Sequence, residues 1–163
     1  VNIKSKETQF FTRVANCWGW ATWSDRWRYF KKNPKQIISS WNKLKIEKFN
    51  FDNTCNYYSQ IERNYNKTLN SWAVFWYATI FEKEGLCVNP VRSLCKNIGF
   101  GGSATNTHDS VKILNPKINN LGKKIIFPEK IRENEKIFDT LKKSFYFQNS
   151  KIKLKSFINY LLK

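Results

Sequence analysis

The stretch that most constrains this chain runs from Asn70 to Ser103, because it must bury a helix on more than one side. Trp72, Phe75, Trp76, Thr79 and Ile80 recur at i, i+3, i+4, i+7 and i+8, the spacing of one apolar helix face. Val74, Tyr77 and Phe81 cover much of the opposite side. The spacing therefore predicts a helix over Ser71–Glu84, with Ser71 as N-cap and Gly85 as the residue beyond its end that takes φ > 0. Leu86, Val88 and Val91 to Cys95 supply strand-type residues, and Asn97-Ile-Gly-Phe-Gly-Gly-Ser103 closes the stretch as a glycine-rich loop. A buried helix feeding a strand that ends in small residues is a common frame for a site.

Earlier in the chain, Trp20, Trp23, Trp27 and Phe30 fall at helical spacing with Arg26, Arg28 and Lys31 between them. Phe10 to Val14 suits a short strand, and residues 1–9 an edge or frayed terminus. Asn33-Pro34 reads as a cap with proline in the first turn, followed by a helix over Gln36–Lys45. Phe49 to Asn53 is a break, and a helix from about Thr54 places Tyr57, Ile61 and Tyr65 four apart. After the glycine loop, Ala104 to Asn120 reads as a polar surface excursion, and Ile125-Ile126-Phe127 as a short strand or anchor. Glu129 to Phe147 reads as helical. In the last segment Leu154, Phe157, Ile158, Leu161 and Leu162 share one helix face opposite lysines. That face suits either an anionic membrane or the chain's own domain.

The expected class is α+β and helix-dominated, with about five helices and a few short strands. Of the 163 residues 41% are hydrophobic and 17% aromatic, enough for a core. The net charge of +17 favours anionic partners, and it is unevenly placed. Residues 111–163 hold 13 Lys or Arg against 4 Asp or Glu, a net of +9. Cys17, Cys55, Cys87 and Cys95 form no C-x-x-C pair, and a single His makes a zinc finger improbable. Buried free thiols are expected instead, in a reducing compartment. Neither a signal-peptide pattern nor a membrane-length apolar run is read in these 163 residues, so no membrane span is expected in them.

No G-x-S-x-G, H-E-x-x-H, Walker A or D-x-D motif occurs, and no nucleophile lies near His108. The loop of Gly99, Gly101, Gly102 and Ser103 either brings backbone N–H groups against a phosphate or sugar, or is simply a turn. The tryptophans either stack on sugars or bases, or fill the core.

Three blocks carry a resemblance. They are Cys17-Trp-Gly-Trp-Ala-Thr-Trp with Arg26-Trp27, then Asn70-Ser-Trp-Ala-Val-Phe-Trp-Tyr-Ala, then Gly85-Leu, Pro90, Ser93-Leu and Asn97-Ile-Gly-Phe-Gly-Gly-Ser. In order and spacing they resemble the C-terminal half of bacterial nucleotide-diphosphosugar glycosyltransferases of the GT-A type, over about residues 8–130. Phe127-Pro128 also fits. The resemblance implies an acceptor-side half over residues 1–130, followed by a basic helical tail over 131–163.

It also implies a nucleotide-sugar donor, a glycan or polysaccharide acceptor, and Mg²⁺ or Mn²⁺ held by D-x-D carboxylates of an N-terminal half this sequence lacks. The chain has no Met and starts at Val1, so a C-terminal piece of a longer product is expected, inactive alone. Asn70 stands where related enzymes often carry the acidic base, and an amide takes no proton at neutral pH. Asn97 stands where they often carry His, leaving His108 as metal ligand or solvated loop residue. Trp18, Trp20 and Trp72 are the candidates for shaping an acceptor pocket. The implied place is the cytoplasm, peripheral on the inner face of the plasma membrane through the basic tail, with no specific nucleic acid. The rival reading is a non-enzymatic module that grips RNA or DNA with basic helices and aromatics.

Overall fold

The computed structural model describes residues 6–95 and 124–161, with backbone alone for 148, 149 and 151–161. Among these the chain is helix-rich α+β. Its elements are β1 (Gln9–Thr12), α1 (Ser24–Trp27), α2 (Pro34–Ser40), α3 (Lys43–Phe49), α4 (Tyr58–Tyr65), α5 (Ala73–Glu82), β2 (Cys87–Pro90) and α6 (Glu135–Leu161). β1 and β2 pair as a two-stranded sheet. The described residues fall in two compact units, one being Phe11–Cys87 and the other the residues on either side of it.

The core of the Phe11–Cys87 unit is aromatic. Phe49 is stacked on Tyr77 with ring centroids 4.4 Å apart, and meets Trp41 (4.9 Å) and Phe81 (5.4 Å) edge-on. Ile37, Ile61, Val74, Phe75 and Ala78 fill the space around them. The Tyr77 hydroxyl donates to the Phe49 carbonyl at 2.9 Å, and the Trp41 Nε1–H to Glu82 Oε1 at 2.8 Å. These bonds let large polar-tipped rings be buried without an orphan donor. In the other unit Phe10, Ile137 and Phe138 are buried, and Ile126 is tied to Thr8 through the Ile126 N–H (to Thr8 Oγ1, 2.8 Å) and carbonyl (from the Thr8 N–H, 2.9 Å).

Several boundaries differ from those expected, each for a local reason. As expected, α5 is buried on more than one side, from Val74 through Thr79, but its N-cap is Trp72. Ser71 is occupied elsewhere, its N–H donating to Asn64 Oδ1 at 3.0 Å. The expected Gln36–Lys45 helix is two helices. Asn33 caps α2 as expected, accepting from Gln36 N (3.1 Å), but Asn42 accepts from Lys45 N (2.9 Å) and so begins α3 anew. The Ser39 and Ser40 hydroxyls bond back to the Gln36 carbonyl, which favours ending α2 there.

The helix expected from Thr54 starts at Tyr58, and its buried residues are Tyr58, Ile61 and Asn64, with Tyr65 exposed. The tryptophan segment is helical only over Ser24–Trp27, and the two expected C-terminal helices are one, Glu135–Leu161. Strand structure in the Leu86–Cys95 stretch is confined to β2. Cys17 and Cys95 are exposed and Cys55 and Cys87 half-buried, not buried as expected, and all four are free.

The end of α5 is a Schellman motif. The Gly85 N–H bonds the Ile80 carbonyl (2.9 Å) and the Glu84 N–H that of Phe81 (3.1 Å). The left-handed residue in it is Glu84, at φ 51°, and not Gly85. Glycine suits position 85 for a different reason, since a Cβ there would press on Ile80 Cγ2 at 3.2 Å and its carbonyl oxygen at 3.3 Å. A side chain in left-handed backbone costs about 1–2 kcal/mol. Glu84→Gly should therefore stabilise the unit by roughly 0.5–1 kcal/mol, after glycine's extra unfolded-state entropy is subtracted. Urea unfolding read at the tryptophans measures it; an unchanged or lower midpoint would contradict the assignment.

Candidate functional site

The site grows from a turn. The Trp18 N–H donates to Asn16 Oδ1 at 3.1 Å, and Gly19 takes φ 60°, a conformation glycine adopts without a Cβ clash. The turn sets the Trp20 ring at 5.2 Å from Trp72, 5.7 Å from Trp27 and 6.2 Å from Trp76, centroid to centroid. Trp27 stacks on Phe30 at 4.6 Å and lies 4.9 Å from Trp76. Trp76, on α5, is buried and forms the floor, whereas Trp27 and Trp72 keep 39% and 43% of their surface open. Two sequence blocks some fifty residues apart thus meet in one tilted aromatic platform, within the Phe11–Cys87 unit.

Polar and cationic groups stand on neighbouring residues of the same segments. Lys32 Nζ donates to Asn70 Oδ1 and sits 5.7 Å from the Phe75 ring centroid. With its oxygen engaged, Asn70 presents its amide N–H₂ to a ligand, as a donor and not as a base. The Tyr29 ring has two cations near it, Lys83 Nζ at 4.8 Å and Arg28 at 5.8 Å from its centroid. Half-exposed indoles on segments that also carry amide and ammonium donors suit a flat, hydroxylated or anionic ligand.

Of the expected site residues, Trp20, Asn70 and Trp72 belong to this region, and Trp18 is a half-exposed residue of its turn. Asn97, Gly99, Gly101, Gly102, Ser103 and His108 lie outside the described residues. Trp27, Trp76, Phe30 and Lys32 complete the region without having been singled out for it. Trp76 was signalled, standing one helical turn after Trp72, but Lys32 carries no motif.

Neither Cys55 nor Cys87 offers an activated nucleophile. Burial pushes the Cys87 thiol up to about 11, so it is protonated at neutral pH. Burial also raises Cys55, against a hydrogen bond from Tyr57 that lowers it. Tyr57 itself is held far above its usual range, first by burial and then by Cys55. Glu82 is committed to Trp41 and, at 3.4 Å, to Lys45. Among the described residues no three His, Cys, Asp or Glu come together as a metal site, so the divalent ion implied by the resemblance finds no holder there. Nor, among them, is any helix long and apolar enough to cross a membrane.

Comparison of the chain with protein-family models, with curated proteins and with solved structures gives no match.

Proposed function

We propose that this chain is the acceptor-side part of a sugar-nucleotide-dependent glycosyltransferase that extends a glycan or polysaccharide at the inner face of the plasma membrane. The observation that carries the reading is the meeting of the Trp18–Trp27 and Asn70–Ala78 blocks in one half-open tryptophan platform, with the Lys32–Asn70 pair on the segment that leads into it. The apolar C–H face of a pyranose stacks on indole, and its hydroxyls take the hydrogen bonds. In such an enzyme an acceptor hydroxyl displaces the nucleoside diphosphate from the anomeric carbon. Asn70 would orient that hydroxyl or a donor oxygen, and a carboxylate elsewhere would take the proton.

Titration of tryptophan emission with oligosaccharides of hexoses and N-acetylhexosamines tests the reading. A saturable change is expected. Trp72→Ala should weaken it about tenfold, the loss of one stacking contact of about 1.4 kcal/mol. A chain that ignores every sugar and instead binds random oligonucleotides tightly, with steep salt dependence, would establish the nucleic-acid module in its place.

A further inference from the structure

The apolar stripe of α6 changes sides halfway along. In its first half Ile137 and Phe138 are buried and Leu141 and Phe145 half-buried, which marks the buried side of this half. Two residues later Phe147 stands 64% exposed, and Tyr146 beside it 69%. Two residues turn an α-helix by about 200°, so Phe147 occupies the side opposite Phe145. The sequence keeps to that new side. Leu154, Ile158 and Leu161 follow Phe147 at i+7, i+11 and i+14, with Phe157 adjoining. By register, the apolar positions of the second half therefore fall on the other side of the helix from those buried in the first half.

Charge decides what suits that face. Residues 144–161 contain three lysines, Lys151, Lys153 and Lys155, and no Asp or Glu. A second copy of the chain would bring three more lysines and no acid against these, which disfavours self-pairing. In register, Lys151, Lys153 and Lys155 flank the stripe, the arrangement of a helix lying in a headgroup layer with its lysines reaching phosphates. We propose that the second half of α6 is an interfacial helix for an anionic lipid surface, with the Phe147–Leu154–Ile158–Leu161 stripe toward the acyl chains. This deepens the membrane placement of the proposed function by naming the segment and the lipid charge it takes, and it does not depend on the sugar chemistry. Vesicle binding without sugar binding, or the reverse, tells which of the two has failed.

The experiment is co-sedimentation of the 163-residue chain with vesicles of phosphatidylcholine alone and with about a quarter phosphatidylglycerol. Binding is expected to the anionic vesicles only, weakening steeply as salt is raised. Lys151→Gln, Lys153→Gln and Lys155→Gln together should weaken it about 100-fold, at roughly fivefold per lysine near an anionic surface. That triple variant keeps both the apolar stripe and helix propensity. Leu154→Ser with Ile158→Ser keeps every charge and should weaken binding at least about tenfold, at helicity matched by circular dichroism. Undiminished binding of the serine variant, equal binding to neutral vesicles, or a chain dimer that the serine variant dissolves would each overturn the assignment.

Discussion

Phe49→Ala should lower the melting temperature of the Phe11–Cys87 unit by at least about 15 °C, the largest effect expected of any single truncation in this chain. Phe49 is fully buried at the last position of α3 and touches four other rings, those of Trp41, Tyr57, Tyr77 and Phe81. Truncating a buried Phe to Ala costs about 3–5 kcal/mol, from lost transfer energy and the cavity left behind. Against a typical stability of about 5–15 kcal/mol, that can consume most of what a unit of this size has. The cavity has little prospect of collapsing. Phe51, Asp52 and Asn53 follow with φ of 58°, 50° and 62°, a left-handed run locked by the Asn53 N–H on the Glu47 carbonyl and by the Arg13–Asp52 pair. Phe49→Leu retains most of the volume and should cost about 1–1.5 kcal/mol, mainly the ring stack. Thermal melts by near-ultraviolet circular dichroism measure both. If Phe49→Ala melted within a few degrees of the parent, the aromatic core would not be what holds the unit together.

How far the fold was legible depends on whether the signal was periodic or local. The α5 helix reads directly because its apolar residues surround the axis, a pattern a strand or loop cannot satisfy. The Asn33-Pro34 start of α2 reads equally well, since cap and proline act within one turn. The break inside the expected Gln36–Lys45 helix is signalled only by Asn42, which looks like any polar helix residue until its side chain is seen on Lys45 N. The left-handed residues at Phe51, Asp52, Asn53, Lys67 and Glu84 are invisible to a reading that looks for glycine. They are held by Schellman-type bonds such as Thr68 N–H to the Arg63 carbonyl (2.9 Å) and by tertiary contacts. The change of side in α6 is in the sequence, but it becomes apparent only once the two halves are one helix.

The candidate site was half legible. Trp20 and Trp72 stand out by residue type and by the motif blocks, yet their meeting depends on the Gly19 turn, which helical spacing of Trp20, Trp23, Trp27 and Phe30 would have denied. Trp23, 73% exposed, shows what strict adherence to that spacing would have misplaced. Lys32 reaches Asn70 across thirty-eight positions of sequence, and no local pattern announces such a pair.

Asn64→Ala should destabilise the same unit by about 2–3 kcal/mol and loosen the segment that carries Asn70 and Trp72. Asn64 is buried on α4 and uses both ends of its amide: Oδ1 accepts the Ser71 N–H at 3.0 Å, and Nδ2 donates to the Gln60 carbonyl at 2.7 Å. Removing it leaves the Ser71 N–H without its acceptor, and the cost of an unsatisfied buried group exceeds the net worth of the bond. Hydrogen exchange should accelerate at the Ser71 amide well before global unfolding, by roughly tenfold or more. Asn64→Asp separates the two bonds. Its carboxylate still accepts from Ser71, but the second oxygen would face the Gln60 carbonyl with no proton to give. Protonation restores that donor, so the folded-state pKa of Asp at this position lies above its unfolded value near 4. Protons then bind the folded form more tightly. Relative to the parent at each pH, the Asp variant should be most stable below pH about 4 and lose stability as pH rises through its folded-state pKa. A difference from the parent that stayed constant with pH would mean that the proton gains nothing in the folded state, and the predicted rise of the folded-state pKa would be wrong.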